Sequence, residues 1–470
     1  MTTIVDDLLA LLRPDQVATD IPTRELHAHD DAEWAPYATP LAVVHAESLD
    51  DVVAVMRAAH ATGTPVVPRG AGTGLSGGAN AVDGCLILSL ARLTTIREID
   101  PAERYAVVEA GVINDDLRAA VAEHGLWYPP DPASSARSTI GGNVATNAGG
   151  ICCVKYGVTR DYVLGVTVVL ADGSVARLGR RTAKGATGYD LTGLMVSSEG
   201  TLGVVVEVTL RLLPLGGREP RAVVGSFASL TDAGRAVAAV MADGIVPAAL
   251  ELVDRTCLEA VERWQHLGVP VGTTAVLLAS VDEPGAAGDA VADRVDAHLR
   301  AAGGATERAV EPAEIERLFR ARRLAYPALE RLGPVLTEDV CVPRGAVPEM
   351  LARIEAIAAE HDVVIATIAH AGDGNLHPLI IAPEGDDAAK ARAKLAFDRI
   401  VAESRLLGGT VTGEHGVGLL KLDGAAAELD PVVLAMHAAV KAALDPRGIL
   451  NPGKAFPATS TVTSEQQEQP

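Results

Sequence analysis

Runs of aliphatic residues alternate with amphipathic stretches through the first half of the chain. Residues 42–46 and 85–90 are almost continuously apolar and predict buried strands, whereas residues 48–60 have the period of a helix that begins after a serine cap. Residues 163–179 alternate in polarity on both sides of an Asp-Gly pair, which predicts a hairpin. The first 16 residues predict an amphipathic helix rather than a signal peptide.

The pattern changes after residues 216–220, which predict a linker. Beyond it, strand-like apolar runs alternate with helical stretches rich in Ala, Glu and Arg, which predicts an antiparallel sheet covered on one side by helices. Residues 335–343 predict one strand, and residues 362–370 predict another. From residue 457 onward the chain is polar and predicts a disordered tail.

Composition and charge narrow the class of protein. A chain of 470 residues is too long for one ordinary core and predicts two or three domains. The net charge of −21 argues against a nucleic-acid partner. No window reaches ~18 consecutive apolar residues, so we expect no transmembrane segment. Five cysteines without a CxxC pair predict free thiols in a reducing cytosol, and peripheral association with a membrane stays open.

Two glycine-containing patterns are similar to the sequence motifs of nucleotide-binding sites but depart from them. Residues 68–79 contain GxGxxG, but they run into a strand, whereas a Rossmann site needs a helix that starts within the glycines. Either an ordinary glycine-rich turn or a loop whose backbone N–H groups bind a phosphate fits this segment. The GxxxxGK of residues 448–454 is followed by Ala455 instead of Ser or Thr, which excludes a P-loop. We therefore expect neither NAD nor NTP binding.

Three segments lack the period of a helix or a strand. Residues 129–150 combine small hydroxyl residues with four glycines, and residues 155–161 and 197–203 are similar in character. Such segments cannot build a core, but their backbone groups and hydroxyls can bind an extended polar ligand. Together with residues 68–79, they favour a large dinucleotide.

These four segments resemble the FAD-binding domain of the vanillyl-alcohol oxidase / p-cresol methylhydroxylase superfamily. The C-terminal motifs resemble its D-2-hydroxy acid dehydrogenase branch, which includes D-lactate dehydrogenase, the glycolate oxidase flavoprotein subunit and D-2-hydroxyglutarate dehydrogenase. The resemblance covers roughly residues 40–456. It implies an α+β fold, in which a two-subdomain FAD-binding domain of the p-cresol methylhydroxylase type carries a ferredoxin-like α+β cap domain. The expected organisation is a helical segment at 1–39, the FAD-binding domain at 40–216, a cap with the substrate and metal sites at 217–428, a C-terminal helix returning to the FAD domain at 429–456, and a disordered tail at 457–470.

The resemblance implies FAD as the cofactor. Residues 68–79 contain no histidine, and although Cys152 and Cys153 lie near such a region, we expect the flavin to be bound non-covalently. The residues that the resemblance assigns to FAD binding are Pro68, Arg69, Gly70, Ala71, Gly72, Thr73, Gly74, Gly78, Pro130, Asp131, Ser135, Thr139, Gly141, Gly142, Asn143, Ala145, Thr146, Asn147, Gly149, Gly150, Tyr156, Gly157, Glu199, Gly200, Gly203, Val204, Val205 and Asn451.

The chemistry-bearing residues lie in the second half. His370 and His377 flank a Gly-Asp-Gly turn, so a hairpin could bring both imidazoles to one side, and Glu414 and His415 lie between glycines. Two imidazoles and one carboxylate suit a divalent metal, although isolated histidines have the same spacing. The resemblance implies that His370, His377 and Glu414 bind the metal, Zn or Mn, and that His415 is the catalytic base.

The resemblance also assigns Arg322 and Asn375 to substrate binding. An arginine suits a carboxylate because it can donate two parallel hydrogen bonds, but solvated arginines on a helix, or a turn asparagine, would give the same pattern. D-2-hydroxyglutarate dehydrogenases carry a Lys for the distal carboxylate where this chain has Thr337, followed by Glu338 and Asp339. A second substrate carboxylate would lose its partner there and meet like charge, so a monocarboxylate is favoured.

The sequence thus predicts FAD-dependent oxidation of a D-2-hydroxy acid, with D-lactate favoured. Glycolate or D-2-hydroxyglutarate dehydrogenation is an alternative, as is a flavoprotein subunit of an oxidase complex that lacks its own catalysis. A metallohydrolase without flavin is disfavoured by the dinucleotide-type segments. The electron acceptor stays open among a quinone, a cytochrome, an electron-transfer flavoprotein and oxygen, and a homodimer stays open as well.

Overall fold

The computed structural model describes residues 3–32, 34–182, 184–268 and 272–456, so the predicted tail at 457–470 lies outside the described residues. All five cysteines are free thiols. The described part of the chain contains no helix long and apolar enough to cross a membrane. Its α-helices are Ile4–Leu11, Ile21–Leu26, Leu49–Thr62, Asn114–Ala122, Ile140–Thr146, Cys153–Tyr156, Leu191–Met195, Leu230–Ala242, Arg255–Gln265, Gly285–Ala301, Pro312–Glu330, Val347–His361, Asp387–Leu406, Leu422–Glu428 and Pro431–Leu444.

A four-stranded sheet opens the fold, and its central strands are parallel. The predicted helix after its second strand begins at the expected cap, where the Ser48 hydroxyl accepts the N–H of Asp51 at 3.2 Å. Near the C-terminus the chain returns to this sheet, because Leu450 bridges to Val66. The order of the strands is Val17–Ala18, Ala42–His45, Leu86–Ser89 and Val66–Arg69.

A five-stranded antiparallel sheet follows, and it contains the predicted hairpin at residues 163–179. The glycine-rich segment predicted at 68–79 begins with the last two residues of the strand Val66–Arg69 and, as predicted, leads without a helix to the strand Leu86–Ser89. The strand order is Ile96–Asp100, Tyr105–Glu109, Val204–Arg211, Val163–Val169 and Val175–Gly179. A small pair, Leu126–Trp127 with Leu213–Pro214, lies beside it.

The second half forms one large antiparallel sheet. The strand order is Ala305–Ala309, Arg221–Phe227, Ala275–Val281, Ala249–Asp254, Val364–His370, Asn375–Ile381 and Val335–Thr337, with Val340–Cys341 also pairing with Asn375–Ile381. We call the pair Val364–His370 and Asn375–Ile381 the His hairpin.

The prediction that helices cover this sheet on one side is wrong. Side chains alternate along its strands, so Leu250 and Leu252 belong to one apolar core while Ala249 and Val253 belong to another on the opposite face. The first core is completed by Leu230–Ala242, Gly285–Ala301, Val347–His361 and Asp387–Leu406, and the second by Arg255–Gln265 and Pro312–Glu330.

The single strand predicted at residues 335–343 is also wrong, because the strand breaks at Glu338 and Asp339. Both carboxylates are completely buried, and the ammonium of Lys421 lies 2.6 Å from Glu338 Oε1. Buried charges are tolerated when they are paired, and Lys421 provides the partner here. The break therefore turns Asp339 toward the loop that precedes Lys421.

Candidate active site

A cavity of about 950 Å³ lies between the glycine-rich segments of the first half and the His hairpin of the second. Its walls contain most of the residues that the sequence assigned to cofactor binding. Those that line it are Pro68, Arg69, Gly70, Ala71, Gly72, Thr73, Gly74, Gly78, Asp131, Ser135, Thr139, Gly141, Gly142, Asn143, Ala145, Thr146, Glu199, Gly200, Gly203 and Val205.

The other assigned residues do not line the cavity. They are Pro130, Asn147, Gly149, Gly150, Tyr156, Gly157, Val204 and Asn451. Asn451, for example, donates from Nδ2 to the carbonyls of Gly78 at 2.9 Å and Glu199 at 2.7 Å, and so ties two lining segments together. The Tyr156 hydroxyl donates to Asp282 of the large sheet region.

The cavity wall fits an anionic dinucleotide. Arg69 Nη1 and Asn143 Nδ2 are buried donors of lining residues, and neither has a hydrogen-bond partner among the described residues. Such donors are costly to bury unless a ligand accepts from them. Gly72 also lies in the left-handed region, at φ 78°, and a Cβ there would overlap the Arg69 guanidinium.

The His hairpin brings its two histidines together, as the sequence predicted. Ile368 pairs with His377, and His370 pairs with Asn375, so the two imidazoles lie on the same face of adjacent strands. Glu414 Oε1 lies 3.1 Å from His370 Nε2 and 3.3 Å from His377 Nε2. The three side chains therefore offer donor atoms within 4.8 Å of one another, a set and a spacing that fit a divalent cation.

Glu251, which sequence reasoning missed, holds two of the predicted residues. It is completely buried; Oε1 lies 2.8 Å from His370 Nδ1, and Oε2 accepts from Arg322 Nε at 2.8 Å. Burial opposes its ionisation, but His370 and Arg322 lower the pKa of Glu251. The sequence signal for Glu251 was a glutamate inside the apolar run 248–253. The strand that contains this run pairs with the strand that contains His370.

The negative charges of Glu251 and Glu414 are nearly balanced by the positively charged groups around them. Burial disfavours protonation of His370, but Glu251 and Glu414 raise the pKa of His370 well above its ordinary value. Burial likewise disfavours the ionised form of Glu414, but His370 and His377 lower the pKa of Glu414 well below its ordinary value. Arg322 balances one of the two carboxylate charges, and either a proton on His370 or a bound cation can balance the other.

Residues 412–418, which we call the Glu-His loop, carry Glu414 and His415. Asp339 Oδ2 accepts the backbone N–H groups of Gly413, Glu414 and His415 at 2.9, 3.0 and 2.9 Å. At the other end of the loop, Glu199 accepts the N–H groups of Val417 and Gly418 at 2.9 Å. Two buried carboxylates from distant parts of the chain therefore fix this loop.

His415 lines the cavity, and its ring stacks on that of His377 with centroids 4.9 Å apart. Burial lowers the pKa of His415 to about 4, so the imidazole is neutral at pH 7. A neutral imidazole at a cavity wall can accept a proton.

The residues predicted for substrate binding are separated by the structure. Arg322 lines the cavity beside the His hairpin, whereas Asn375 does not line it and lies against Gly413 of the Glu-His loop. Thr337 lines the cavity, and its hydroxyl lies 3.4 Å from that of Tyr326.

The like charge expected beside Thr337 is not there. Glu338 and Asp339 are absent from the cavity wall and face Lys421 instead, because the strand breaks at these two residues. Ile368 and Leu379 of the His hairpin contribute apolar surface to the cavity near the two histidines.

Comparisons with known proteins agree with this architecture. The model of the FAD binding domain matches residues 40–179, and the model of the C-terminal domain of FAD linked oxidases matches residues 218–455. The chain is 40% identical to the glycolate oxidase subunit GlcD of Bacillus subtilis over 89% of each chain. It is 34% identical to a D-lactate dehydrogenase of Anaerostipes hadrus, covering 94% of this chain and 95% of that one. It is 33% identical to a D-2-hydroxyglutarate dehydrogenase of Stutzerimonas stutzeri, with 97% and 99% covered.

Solved structures give the same fold at lower identity. A p-cresol methylhydroxylase with substrate bound aligns with a TM-score of 0.78 at 22% identity and covers 96% of both chains. A 4-ethylphenol oxidase from Gulosibacter chungangensis aligns with a TM-score of 0.78 at 20% identity and covers 97% of both. The α+β fold expected from the sequence, with a FAD-binding domain of the p-cresol methylhydroxylase type, is therefore confirmed.

Proposed function

Since the chain belongs to the family of FAD-linked oxidases, we propose that it oxidises a D-2-hydroxy acid to the 2-oxo acid with FAD, and that D-lactate is the favoured substrate. One observation carries the proposal: a single cavity is lined by the glycine-rich segments on one side and by His370, His377, Glu414, His415 and Arg322 on the other. We assign FAD binding to residues 40–216, and the substrate and metal to residues 217–428.

Non-covalent FAD binding is supported by the state of the nearby thiols. Burial raises the pKa of both Cys152 and Cys153, so neither is a reactive thiolate at neutral pH. Cys152 Sγ also donates to Asp131 at 3.4 Å. The loop at 68–79 contains no histidine that could carry the flavin. Trichloroacetic acid should therefore release all of the yellow colour into the supernatant.

We assign the divalent metal, Zn or Mn, to His370, His377 and Glu414. Two imidazole nitrogens and one carboxylate oxygen leave coordination positions for a substrate. When bound, the cation lowers the pKa of the substrate hydroxyl, and FAD accepts the hydride. Glu251 supports this assignment, because a metal-bound histidine usually donates a hydrogen bond from its other ring nitrogen to a carboxylate or a carbonyl.

The chain's own groups then have separate roles. Arg322 binds the substrate carboxylate, and its Nε contact with Glu251 fixes the plane of the guanidinium. His415, neutral at pH 7, accepts the hydroxyl proton. Ile368 and Leu379 contact the substrate's side chain, which suits a methyl or a short aliphatic group.

Anaerobic reduction of the purified holoenzyme tests the proposal. We expect a yellow protein that bleaches with D-lactate but not with L-lactate, and that contains about one Zn or Mn per chain by elemental analysis. A chelator should stop bleaching, and either metal should restore it. The matched control is His298→Ala, which removes a histidine that pairs with Asp243 far from the cavity. Bleaching that persists after all metal has been removed would overturn the metal assignment. The cluster would then be an ion pair that binds a proton instead of a cation.

A second candidate substrate is glycolate. The 40% identity to the glycolate oxidase subunit GlcD supports it. Glycolate lacks the methyl group that Ile368 and Leu379 would contact, which favours D-lactate instead. A kcat/KM for glycolate above that for D-lactate would establish this alternative.

A further inference from the structure

The helix Pro431–Leu444 exposes an apolar face along its length, and none of its 14 residues is buried. Val432 is 69% exposed and Met436 is 63% exposed, and Ala439 and Ala443 are exposed as well. These four residues are spaced by 4, 3 and 4 positions, so they form one straight stripe on the helix surface. We call them the outer stripe. An exposed apolar stripe of this kind is typical of a surface that packs on another protein surface.

The opposite face holds the helix on the first half of the chain. Val440 and Leu444 pack against an apolar core there. The ammonium of Lys441 donates to the carbonyl oxygens of Thr201 and Leu450 at 2.7 Å each. The helix is therefore fixed by its inner face, and the outer stripe is a preformed surface.

The outer stripe is complementary to itself in size. Its larger side chains, Val432 and Met436, come first, and the small Ala439 and Ala443 follow. In two copies of the helix that lie antiparallel about a two-fold axis between positions 437 and 438, Val432 of one copy faces Ala443 of the other, and Met436 faces Ala439. Each large side chain then fills the space above a small one, which allows close packing of the two helices.

Charge also favours a second copy of this chain. Two copies repel each other through their net charge of −21, so they approach most easily where the facing surfaces are uncharged, as the outer stripe is. The exposed Glu428 and Asp430 precede the helix, and the exposed Arg447 follows it. Asp445 at that second end is buried and lies 2.6 Å from Lys441. An antiparallel pair therefore brings an acidic end beside a basic end twice.

We propose that two copies of this chain associate through the outer stripe, as an antiparallel helix pair on a two-fold axis. A contact centred on helices of this length is small for a protein interface, so we expect a dimer that dissociates in the micromolar range. None of the four stripe residues lines the cavity, so the dimer does not depend on the proposed function.

Residues 457–470 are the alternative cover for the outer stripe. They follow Phe456, whose ring stacks on that of His437 in the same helix with centroids 4.4 Å apart. Their composition disfavours this role, because Val462 is their one aliphatic residue larger than alanine. A polar segment gains little free energy by covering an apolar surface.

Analytical ultracentrifugation of the purified holoenzyme, from about 1 to about 100 µM, measures the dimer Kd. Ala439→Glu places two carboxylates close to the two-fold axis and should raise this Kd about 100-fold or more. Ala391→Glu is the matched control, since it makes the same change at an exposed position of the helix Asp387–Leu406 and should leave the Kd within about twofold. Both variants should retain the FAD absorbance of the wild type.

An exchange of side-chain sizes tests the antiparallel register. Met436→Ala leaves alanine opposite alanine, and Ala439→Met leaves methionine opposite methionine, so each should raise the Kd about tenfold or more. The double variant Met436→Ala/Ala439→Met again places a large side chain opposite a small one. Its Kd should return to within about threefold of the wild-type value.

A wild type that stays monomeric at about 100 µM, far above a micromolar Kd, would overturn the proposal. So would a dimer that Ala439→Glu does not weaken, or a double variant whose Kd is not restored. Truncation after Phe456 should leave the Kd unchanged. A dimer that forms only in the truncated chain would show that residues 457–470 cover the outer stripe instead.

Discussion

Glu199 Oε2 accepts the backbone N–H of Gly418 at 2.9 Å, which joins the FAD-binding half of the chain to the loop that carries Glu414 and His415. Oε1 of the same carboxylate accepts from Val417 at 2.9 Å. Burial raises the pKa of Glu199, and the two backbone donors oppose that shift. One side chain thus fixes both the cavity wall that we assign to the cofactor and the loop that we propose to be catalytic.

Glu199→Gln should loosen this connection. The amide has one acceptor oxygen, so one of the two N–H groups would face an amide N–H and remain unpaired, at a cost of about 1–3 kcal/mol. We expect a lower melting temperature and a kcat reduced by about tenfold, with metal content retained. Glu259→Gln is the control, since Glu259 is exposed and its pairing with Arg263 contributes little. Equal melting temperatures for both variants would contradict the anchoring role.

Substitution of the proposed metal ligands should abolish turnover without affecting FAD binding. His370→Ala or Glu414→Ala should abolish oxidation of D-lactate and lower the metal content, because both side chains belong to the same donor cluster. FAD absorbance should be unchanged, since neither belongs to the glycine-rich segments. His415→Ala should stay metal-loaded and lose ~10²–10⁴-fold in kcat, the usual effect of removing a general base. Unchanged activity in all three variants and with chelators would exclude a metal mechanism.

The sequence was sufficient for His370 and His377 because a tight turn and the two-residue period of strands determine where they lie. The partners Glu251 and Asp339 could not be placed from the sequence. Glu251 reaches the site because its distant strand pairs with the His hairpin, and Asp339 reaches it because its strand breaks beside the hairpin. The helix Ile140–Thr146 was missed for a related reason. Its only large apolar residues are Ile140 and Val144, which pack into a core, while Gly141 packs so closely on Ala110 that a Cβ would lie 2.6 Å away. The apolar stripe is therefore too short to recognise from the sequence.

Arg322 is predicted to act on substrate affinity. Arg322→Lys keeps a charge beside the completely buried Glu251 but loses the planar donors that match a carboxylate, so KM for D-lactate should rise about tenfold or more. The kcat should fall less than kcat/KM. Arg320→Ala, which alters an exposed arginine of the same helix, should leave both constants within about twofold. An unchanged KM in Arg322→Lys would argue that the guanidinium only supports Glu251.

Asp254 is predicted to make stability depend on pH. It is buried, accepts the N–H of Cys257 at 2.9 Å and that of Thr367 at 2.7 Å, and burial raises its pKa to about 6. The unfolded group titrates near its ordinary value of 3.8, so between these values the folded chain binds a proton that the unfolded chain lacks. This group's contribution is therefore present at low pH and is lost as the pH rises through about 6, by up to roughly 1.4 kcal/mol per pH unit.

Asp254→Asn removes that titration but keeps a helix-capping side chain. Plotted against pH from 4 to 7, the melting temperature of the variant relative to the wild type should rise. Asp172→Asn, in an exposed turn, provides the control, because its lowered pKa gives a slope of the opposite sign. A difference that is constant across this range would show that Asp254 is ionised throughout.

Thr337 is predicted to determine the choice between one and two substrate carboxylates. It lines the cavity with Arg322, Tyr326 and Leu379, and its hydroxyl cannot neutralise a second charge. The wild type should therefore prefer D-lactate or D-2-hydroxybutyrate to D-2-hydroxyglutarate by at least tenfold in kcat/KM, which corresponds to about 1.4 kcal/mol. Thr337→Lys should narrow or reverse this preference, and Thr337→Val, which has the same shape without charge, should not. Because Glu338 faces Lys421 rather than the cavity, the added ammonium would be available to the substrate. A wild-type preference of tenfold or more for the dicarboxylate would show that another cation binds the distal carboxylate, and Arg323, which also lines the cavity, would be the next residue to substitute.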